Sequence, residues 1–235
     1  MSIISPNLLL TALPSSCCDR LNRHLEEVTL VQGQILHQAN KEIDKVYFPL
    51  KAVISLVMVM SDKSTTEVGI VGYRGMVGLP AVLGGQRSPH QAVVQVSGKA
   101  IAIDSEIIQS EFNRGEALQR ILLLYTQAQM AQISQIAACQ TSHPIQQRLA
   151  RWLLLTQEAM GESTIPVTQK LISTMLGVRR ASITEAAISL QQAGIIAYSR
   201  GQIQIVQPHL LKQVSCECHS KIQQEYDRLL ALRVW

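Results

Sequence analysis

No apolar run in the 235-residue chain approaches the ~18 residues that a membrane-spanning helix needs, so a transmembrane helix is not expected. The first residues hold no basic segment followed by an apolar core and a small-residue cleavage site, which removes the mark of secretion and leaves the cytoplasm as the expected compartment. Cysteine is present but unorganised. The five stand at positions 17, 18, 139, 216 and 218, an odd number without a regular framework, which excludes a disulfide scaffold and points to reduced thiols. A Walker loop and a dinucleotide glycine fingerprint are both missing. His24, His37, His90, His143, His209 and His219 are scattered, and no Ser, His and Asp recur in an arrangement suggesting a triad. With no catalytic residue to rest on, an enzyme is not expected, nor is a cofactor. Charge is sparse as well: 21 Lys+Arg against 17 Asp+Glu gives a net +4, too mild by itself to mark a nucleic-acid binder.

What is there is concentrated at residues 167–190. Leu171, Ile172, Met175 and Leu176 fall on one helical stripe, and Ile183, Ala186, Ala187 and Leu190 on another. Gly177 lies between them, where a left-handed turn costs glycine least. The spacing predicts a helix-turn-helix. Arg179, Arg180, Ser182, Thr184 and Glu185 are left facing outward at the start of the second helix, where side chains reach base edges in a major groove. Thr168 and Gln169, at the start of the first helix, complete the candidate DNA contacts there. After the helix stop at Gly194, the stretch Tyr198 to Val206 alternates about Gly201 and predicts a hairpin wing with Arg200 at its tip, suited to phosphate. From Arg148 to Arg200, six basic residues (Arg148, Arg151, Lys170, Arg179, Arg180, Arg200) face three acidic ones (Glu158, Glu162, Glu185), so the basic excess lies with the expected reader.

The rest of the chain divides by period. Val28–Leu30, Gln34–Leu36, Val46–Phe48, Val53–Val59, Glu67–Val71, Ala92–Val96 and Ala100–Ile103 are short β-branched runs separated by turn residues, which predicts an antiparallel sandwich or jelly-roll barrel. From Glu116 a stripe of Leu118, Ile121, Leu122, Tyr125, Ala128, Gln129, Ile133, Ile136 and Ala137 runs to His143-Pro144. It is longer than a small domain needs for packing, so part of it is expected to meet a second copy. A further helix, Ile145–Met160, offers Leu149, Trp152, Leu153 and Thr156 to the reader. The fold class is α+β: an N-terminal antiparallel jelly-roll barrel over 1–115, a dimerisation helix over 116–142, and a C-terminal winged helix-turn-helix with a last helix over 143–235.

Barrel, long helix and winged reader in that order resemble the catabolite activator/fumarate-nitrate regulator (Crp/Fnr) family of bacterial transcription factors. The resemblance rests on Leu176-Gly177-Val178-Arg179-Arg180, on Arg148-Leu149-Ala150-Arg151-Trp152-Leu153, and on Gly75-Met76-Val77-Gly78-Leu79. It implies a homodimer joined through 116–142 on a palindromic double-stranded operator, half-sites ~10 bp apart, and it brings RNA polymerase into the set of partners. It also implies a guanine contact for Arg180. The family pattern departs at Ala181 and Glu185, where a glutamate and a second arginine are usual, so the catabolite activator's consensus operator is not implied. In the barrel, Met76 replaces the glutamate that follows the cassette glycine in nucleotide-binding members, and Arg87-Ser88 precedes the strand at Ala92 by several residues too many. A buried phosphate without a paired arginine is costly. An effector pocket would draw on Gly75, Met76, Gly78, Arg87, Ser88 and His90, with the effector unknown and cyclic AMP not expected.

Cys216, Cys218 and His219 form a C-x-C-H group suited to a soft metal or to oxidation, but it lacks a second pair at zinc spacing. Packing within a last amphipathic helix bearing Ile222, Tyr226, Leu229 and Leu230 is favoured, and no metal is expected. Cys17-Cys18 is unlike an iron–sulfur ligand set. The expected function is a sequence-specific transcription regulator. The alternative is a ligand-binding sensor that acts through protein contacts after losing DNA recognition.

Overall fold

The computed structural model describes residues 7–199 and 201–230. Two short helices, α1 (Leu8–Thr11) and α2 (Ser15–Leu21), open it. The Asn7 side chain accepts from the amides of Leu9 (3.1 Å) and Leu10 (3.4 Å), while its Nδ2 donates to the carbonyls of Pro49 and Gly75, both at 2.9 Å. One side chain thus caps α1 and fastens it to the barrel.

Seven strands follow: β1 (Glu26–Leu30), β2 (Ile35–His37), β3 (Lys45–Pro49), β4 (Val53–Val59), β5 (Thr65–Val71), β6 (Gln91–Val96) and β7 (Gly98–Asp104), with a one-turn helix α3 (Leu79–Val82) between β5 and β6. They pair antiparallel in the orders β1-β7-β3 and β2-β6-β4-β5. Each of the seven runs expected from the alternation lies in one of these strands or overlaps it. Leu30 and Ala100 of the first sheet meet Ile54, Leu56, Val71 and Val94 of the second, so alternate residues fill the barrel.

Three helices carry the chain out of the barrel: α4 (Ser105–Phe112), α5 (Ala117–Ser142) and α6 (Ile145–Met160). His143 precedes Pro144 and is extended, at φ −121° and ψ 144°, which ends α5 and turns the chain into α6. Residues 148–156 of α6 are buried without interruption. A helix buried all round lies between two bodies, and α6 lies between barrel and reader.

The reader comprises β8 (Thr164–Ile165), α7 (Gln169–Leu176), α8 (Arg180–Gln192), β9 (Ile196–Ser199), β10 (Gln202–Ile205) and α9 (Pro208–Val214), with its strands in the order β8-β10-β9. Its core joins Leu149, Trp152 and Leu153 to Ile172, Leu176, Ile183, Leu190 and Ile203. The last helix, α10 (Cys218–Leu230), leaves this core: Ile222, Tyr226, Leu229 and Leu230 pack with Leu118, Ile121 and Tyr125 of α5. Arg74, after β5, holds α10 by bonds to Gln223 (2.9 Å) and Asp227 (2.6 Å), its guanidinium 5.5 Å from the Tyr226 ring centre. The chain therefore passes into the reader at His143-Pro144 and returns at 215–217. No helix among the described residues is long and apolar enough to cross a membrane.

Candidate nucleic-acid interface

Gly177 takes φ 63° and closes α7, with its amide donating to the Thr174 carbonyl (3.2 Å) and the Val178 amide to Ser173 (3.0 Å). A side chain there would be strained and would also meet the Thr66 hydroxyl at 3.0 Å. The turn aims α8 so that Arg179, its N-cap, and Arg180, its first residue, are both exposed and make no ion pair among the described residues. The first turn of α8 holds no acidic residue, so the positive end of the helix and two guanidiniums form one electropositive spot.

The remaining candidates gather around it. Thr168 caps α7, accepting from the Leu171 amide at 3.2 Å, and its methyl would lie 3.8 Å from a Cβ on Gly201 in the wing turn. The Thr184 hydroxyl lies 2.9 Å from Gln169 Oε1 and 3.1 Å from the Arg180 carbonyl, so Gln169 and Thr184 brace the two helices against each other. Ser182 is half-buried and Glu185 exposed. Ile188, half-exposed further along α8, was not singled out from the sequence. Arg200 lies outside the described residues.

Two arginines counted with this face belong elsewhere. Arg148 is buried and its Nη2 donates to the Leu176 carbonyl at the end of α7 (2.5 Å) and to Gln140. Arg151 is 1% exposed on the inner side of α6. Both serve packing between elements, and of the six basic residues counted with this face Lys170, Arg179 and Arg180 are the exposed ones among the described residues.

A buried polar chain joins reader to barrel. Trp152 Nε1 donates to Glu67 Oε1 (3.0 Å); Ser55 Oγ lies 2.6 Å from Glu67 Oε2 and 2.7 Å from Gln95 Oε1; and Gln95 Nε2 donates to Thr156 Oγ1 (3.4 Å). Ser55 has one proton for two acceptors, so the chain closes when Glu67 is protonated and donates to it. Burial pushes the Glu67 carboxyl up to about 7, against the lowering effects of Ser55, Arg151 and Trp152.

In the barrel the cassette turn is filled. Met76 is fully buried, and its carbonyl accepts from the Tyr125 hydroxyl at 2.9 Å. A Cβ on Gly75 would come within 2.5 Å of that hydroxyl, and one on Gly78, at φ 97°, within 2.6 Å of Val46. Arg87 is exposed, whereas Ser88 is buried with its Oγ 3.1 Å from the His90 amide. Burial lowers the His90 and His37 imidazoles, His37 to about 4, which disfavours in both the charged form that an anion would call for.

The cysteines part company. The Cys17 thiol donates to Glu111 Oε1 (3.3 Å), and burial foremost pushes it up to about 12. Cys216 and Cys218 lie with Cys139 and His143 at the two chain crossings, whereas His219 turns away to Glu158 (2.8 Å). The hydrogen bond between Cys139 and Cys216 holds the first thiol up and the second down.

Two family models match the chain: a cyclic nucleotide-binding domain over residues 27–115 and a Crp-like helix-turn-helix domain over 147–214. No curated protein matches it by sequence. The fold is similar to that of a crp/fnr family transcriptional regulator from Eubacterium rectale, at 15% identity and TM-score 0.68 over 88% of this chain and 96% of that one. It is also similar to FixK2 from Bradyrhizobium japonicum, at 14% identity and TM-score 0.69 over 82% and 98%. The c-di-GMP responsive regulator CLP of Xanthomonas campestris gives 12% identity and TM-score 0.63 over 82% and 99%.

Proposed function

Because the chain belongs to the Crp/Fnr family and is a DNA-binding transcription regulator with a cyclic-nucleotide-binding-like sensory domain, we propose that it grips a roughly palindromic operator as a homodimer and reads bases with Arg180. The observation that carries this reading is the open N-terminal end of α8, where Arg179 and Arg180 stand exposed without ion partners. A guanidinium there fits guanine O6 and N7, and Arg179, Ser182, Thr168 and the wing at Arg200 fit the phosphates. Gln169 and Thr184 set the angle between α7 and α8 and offer their remaining lone pairs and amide to the groove.

The dimer is proposed through α5. Its inward stripe is taken up by the barrel and α10, but Leu123, Gln127, Met130, Ser134, Ala137 and Thr141 are exposed at alternating spacings of four and three. That is a heptad seam, and Leu123 and Met130 are 51% and 64% exposed on it. In this organisation 1–115 senses, 116–142 dimerises, 143–214 reads DNA, and α10 is a strut back to the sensor side. The Trp152–Glu67 junction transmits strain between the outer two, since α6 cannot shift without breaking it. The filled turn at Met76 speaks against a cyclic nucleotide held in the usual way.

Selection of bound DNA from a random pool, with and without cyclic nucleotides, tests the reading. The expected result is a palindrome with half-sites ~10 bp apart, enriched without any nucleotide. Enrichment of no sequence, together with binding that ignores salt, would favour a sensor that acts through protein contacts. Met130→Glu is expected to turn the dimer into monomers in sedimentation.

A further inference from the structure

The donor atoms of Cys139, His143, Cys216 and Cys218 all lie within 4.8 Å of one another. Cys139 Sγ is 3.5 Å from Cys216 Sγ, and Cys218 Sγ is 3.6 Å from His143 Nδ1. Four ligands around one zinc-like ion at ~2.3 Å stand ~3.8 Å apart, so the spacing suits a single tetrahedral ion. It is too tight for an iron–sulfur cluster, whose own atoms must sit between the thiolates. Cys139 lies in the last turn of α5 and His143 is the extended residue that ends it, with their donor atoms within reach of one ion. Cys216 and Cys218 flank a single residue where the chain enters α10.

The surroundings are those of ligands rather than of packing cysteines. Glu217 Oε2 is 3.1 Å from His143 Nε2, which fixes the ring with Nδ1 toward the sulfurs, the arrangement usual behind a metal-bound imidazole. Gln135 Nε2 donates to Cys218 Sγ at 3.1 Å. Arg151 is buried with Nε and Nη1 lacking hydrogen-bond partners among the described residues, and its charge acts favourably on the thiolate forms of Cys139 and Cys216. Three thiolates and one dication carry a net charge of −1, which this buried guanidinium would balance. A Cys139–Cys216 disulfide would account for neither Cys218 nor the orientation of His143.

We propose that Cys139, His143, Cys216 and Cys218 bind one soft divalent cation of the zinc class, which locks together the two places where the chain crosses between barrel and reader. On binding, the ligating thiols release their protons to solvent and the imidazole binds through Nδ1. The bound ion ties the end of α5 to the start of α10, so the hinge at His143-Pro144 is fixed by a metal instead of by side-chain packing alone. Sequence spacing concealed the site because its second pair lies 77 residues from Cys216, in a helix read for its apolar stripe.

The test uses the full chain, purified reduced, loaded with zinc, desalted and analysed for metal. One zinc per chain is expected, with Cys139, Cys216 and Cys218 protected from alkylation until a chelator is added, while Cys18 reacts throughout. Cobalt loading is expected to give the intense visible bands of a tetrahedral thiolate site. Cys139→Ser and Cys216→Ser are expected to bring the stoichiometry near zero, Cys18→Ser to leave it at one, and Cys218→His, which keeps a ligand, to retain metal where Cys218→Ser does not. The proposal is overturned if the folded wild-type chain takes up no zinc, if it holds iron with acid-labile sulfide, if reduced preparations carry a Cys139–Cys216 disulfide, or if the Cys139→Ser and Cys216→Ser chains keep their zinc. Metal content is read on the free protein, so the outcome is independent of the DNA reading.

Discussion

The reader and the barrel each bend the chain through a left-handed glycine, Gly177 at φ 63° and Gly78 at φ 97°, and the two turns serve opposite ends. Beside Gly177 the next residues but one are exposed arginines on a helix start with no acidic neighbour. Beside Gly78 the chain buries Met76 against Tyr125 and runs into a single helical turn. The same backbone device presents charge in one place and seals a core in the other. A family resemblance transmits the turn; the side chains decide whether it is still a site.

Substitutions can break that contrast. Met76→Ala is expected to cost about 2–5 kcal/mol, read as a lowered melting temperature, while the folded fraction keeps its DNA affinity; intact stability would mean that the turn is not filled. Glu67→Gln addresses the link between the two regions. The Glu67 carboxyl is raised to about 7 in the folded chain against 4.5 as its ordinary value, so the folded state binds the proton more tightly. Its stabilising effect is whole below pH 4.5 and is lost as pH rises through 7, a decline of about 3 kcal/mol that denaturant titrations at several pH values should show in the wild type and not in Glu67→Gln. Arg180→Ala is expected to lose ~1–3 kcal/mol of DNA affinity and to relax sequence preference with melting unchanged. An unaltered footprint would refute the reading of α8. Arg179→Ala should weaken all sequences alike and lower the salt dependence of binding by about one phosphate contact. Smallest of all, millimolar cyclic AMP is expected to leave the melting temperature where it is, since a ligand that binds the folded state raises it.

Much of this architecture was legible because periodicity is a local property. Strands alternating by two and helices by three and four reveal themselves in any short window, and α6 begins and ends at the residues expected, Ile145 and Met160. Direction is not local. Arg148 and Arg151 look like part of a basic face until α6 is found enclosed, and Met76 gives no sign that it will fill the place where a ligand would otherwise lie. The two-residue β8 and the short α9 are below the length at which a period can be recognised. The Cys–His group is the sharpest case: Cys216 and Cys218 stand out in the sequence beside the wrong histidine, His219, and only the return of α10 to α5 brings them to Cys139 and His143.

That return also sets an order of events during synthesis. Ile222, Tyr226 and Leu229 complete a core most of whose members, from Leu9 to Ala128, were made more than ninety residues earlier, and the entire reader lies between. As the chain leaves the ribosome, α7, α8 and the wing emerge, and can close on themselves, while the flank of α5 that α10 will cover is still bare. A message cut short after α9 would therefore yield a finished DNA-gripping end on an unfinished control end, so the regulator is the last thing the chain becomes.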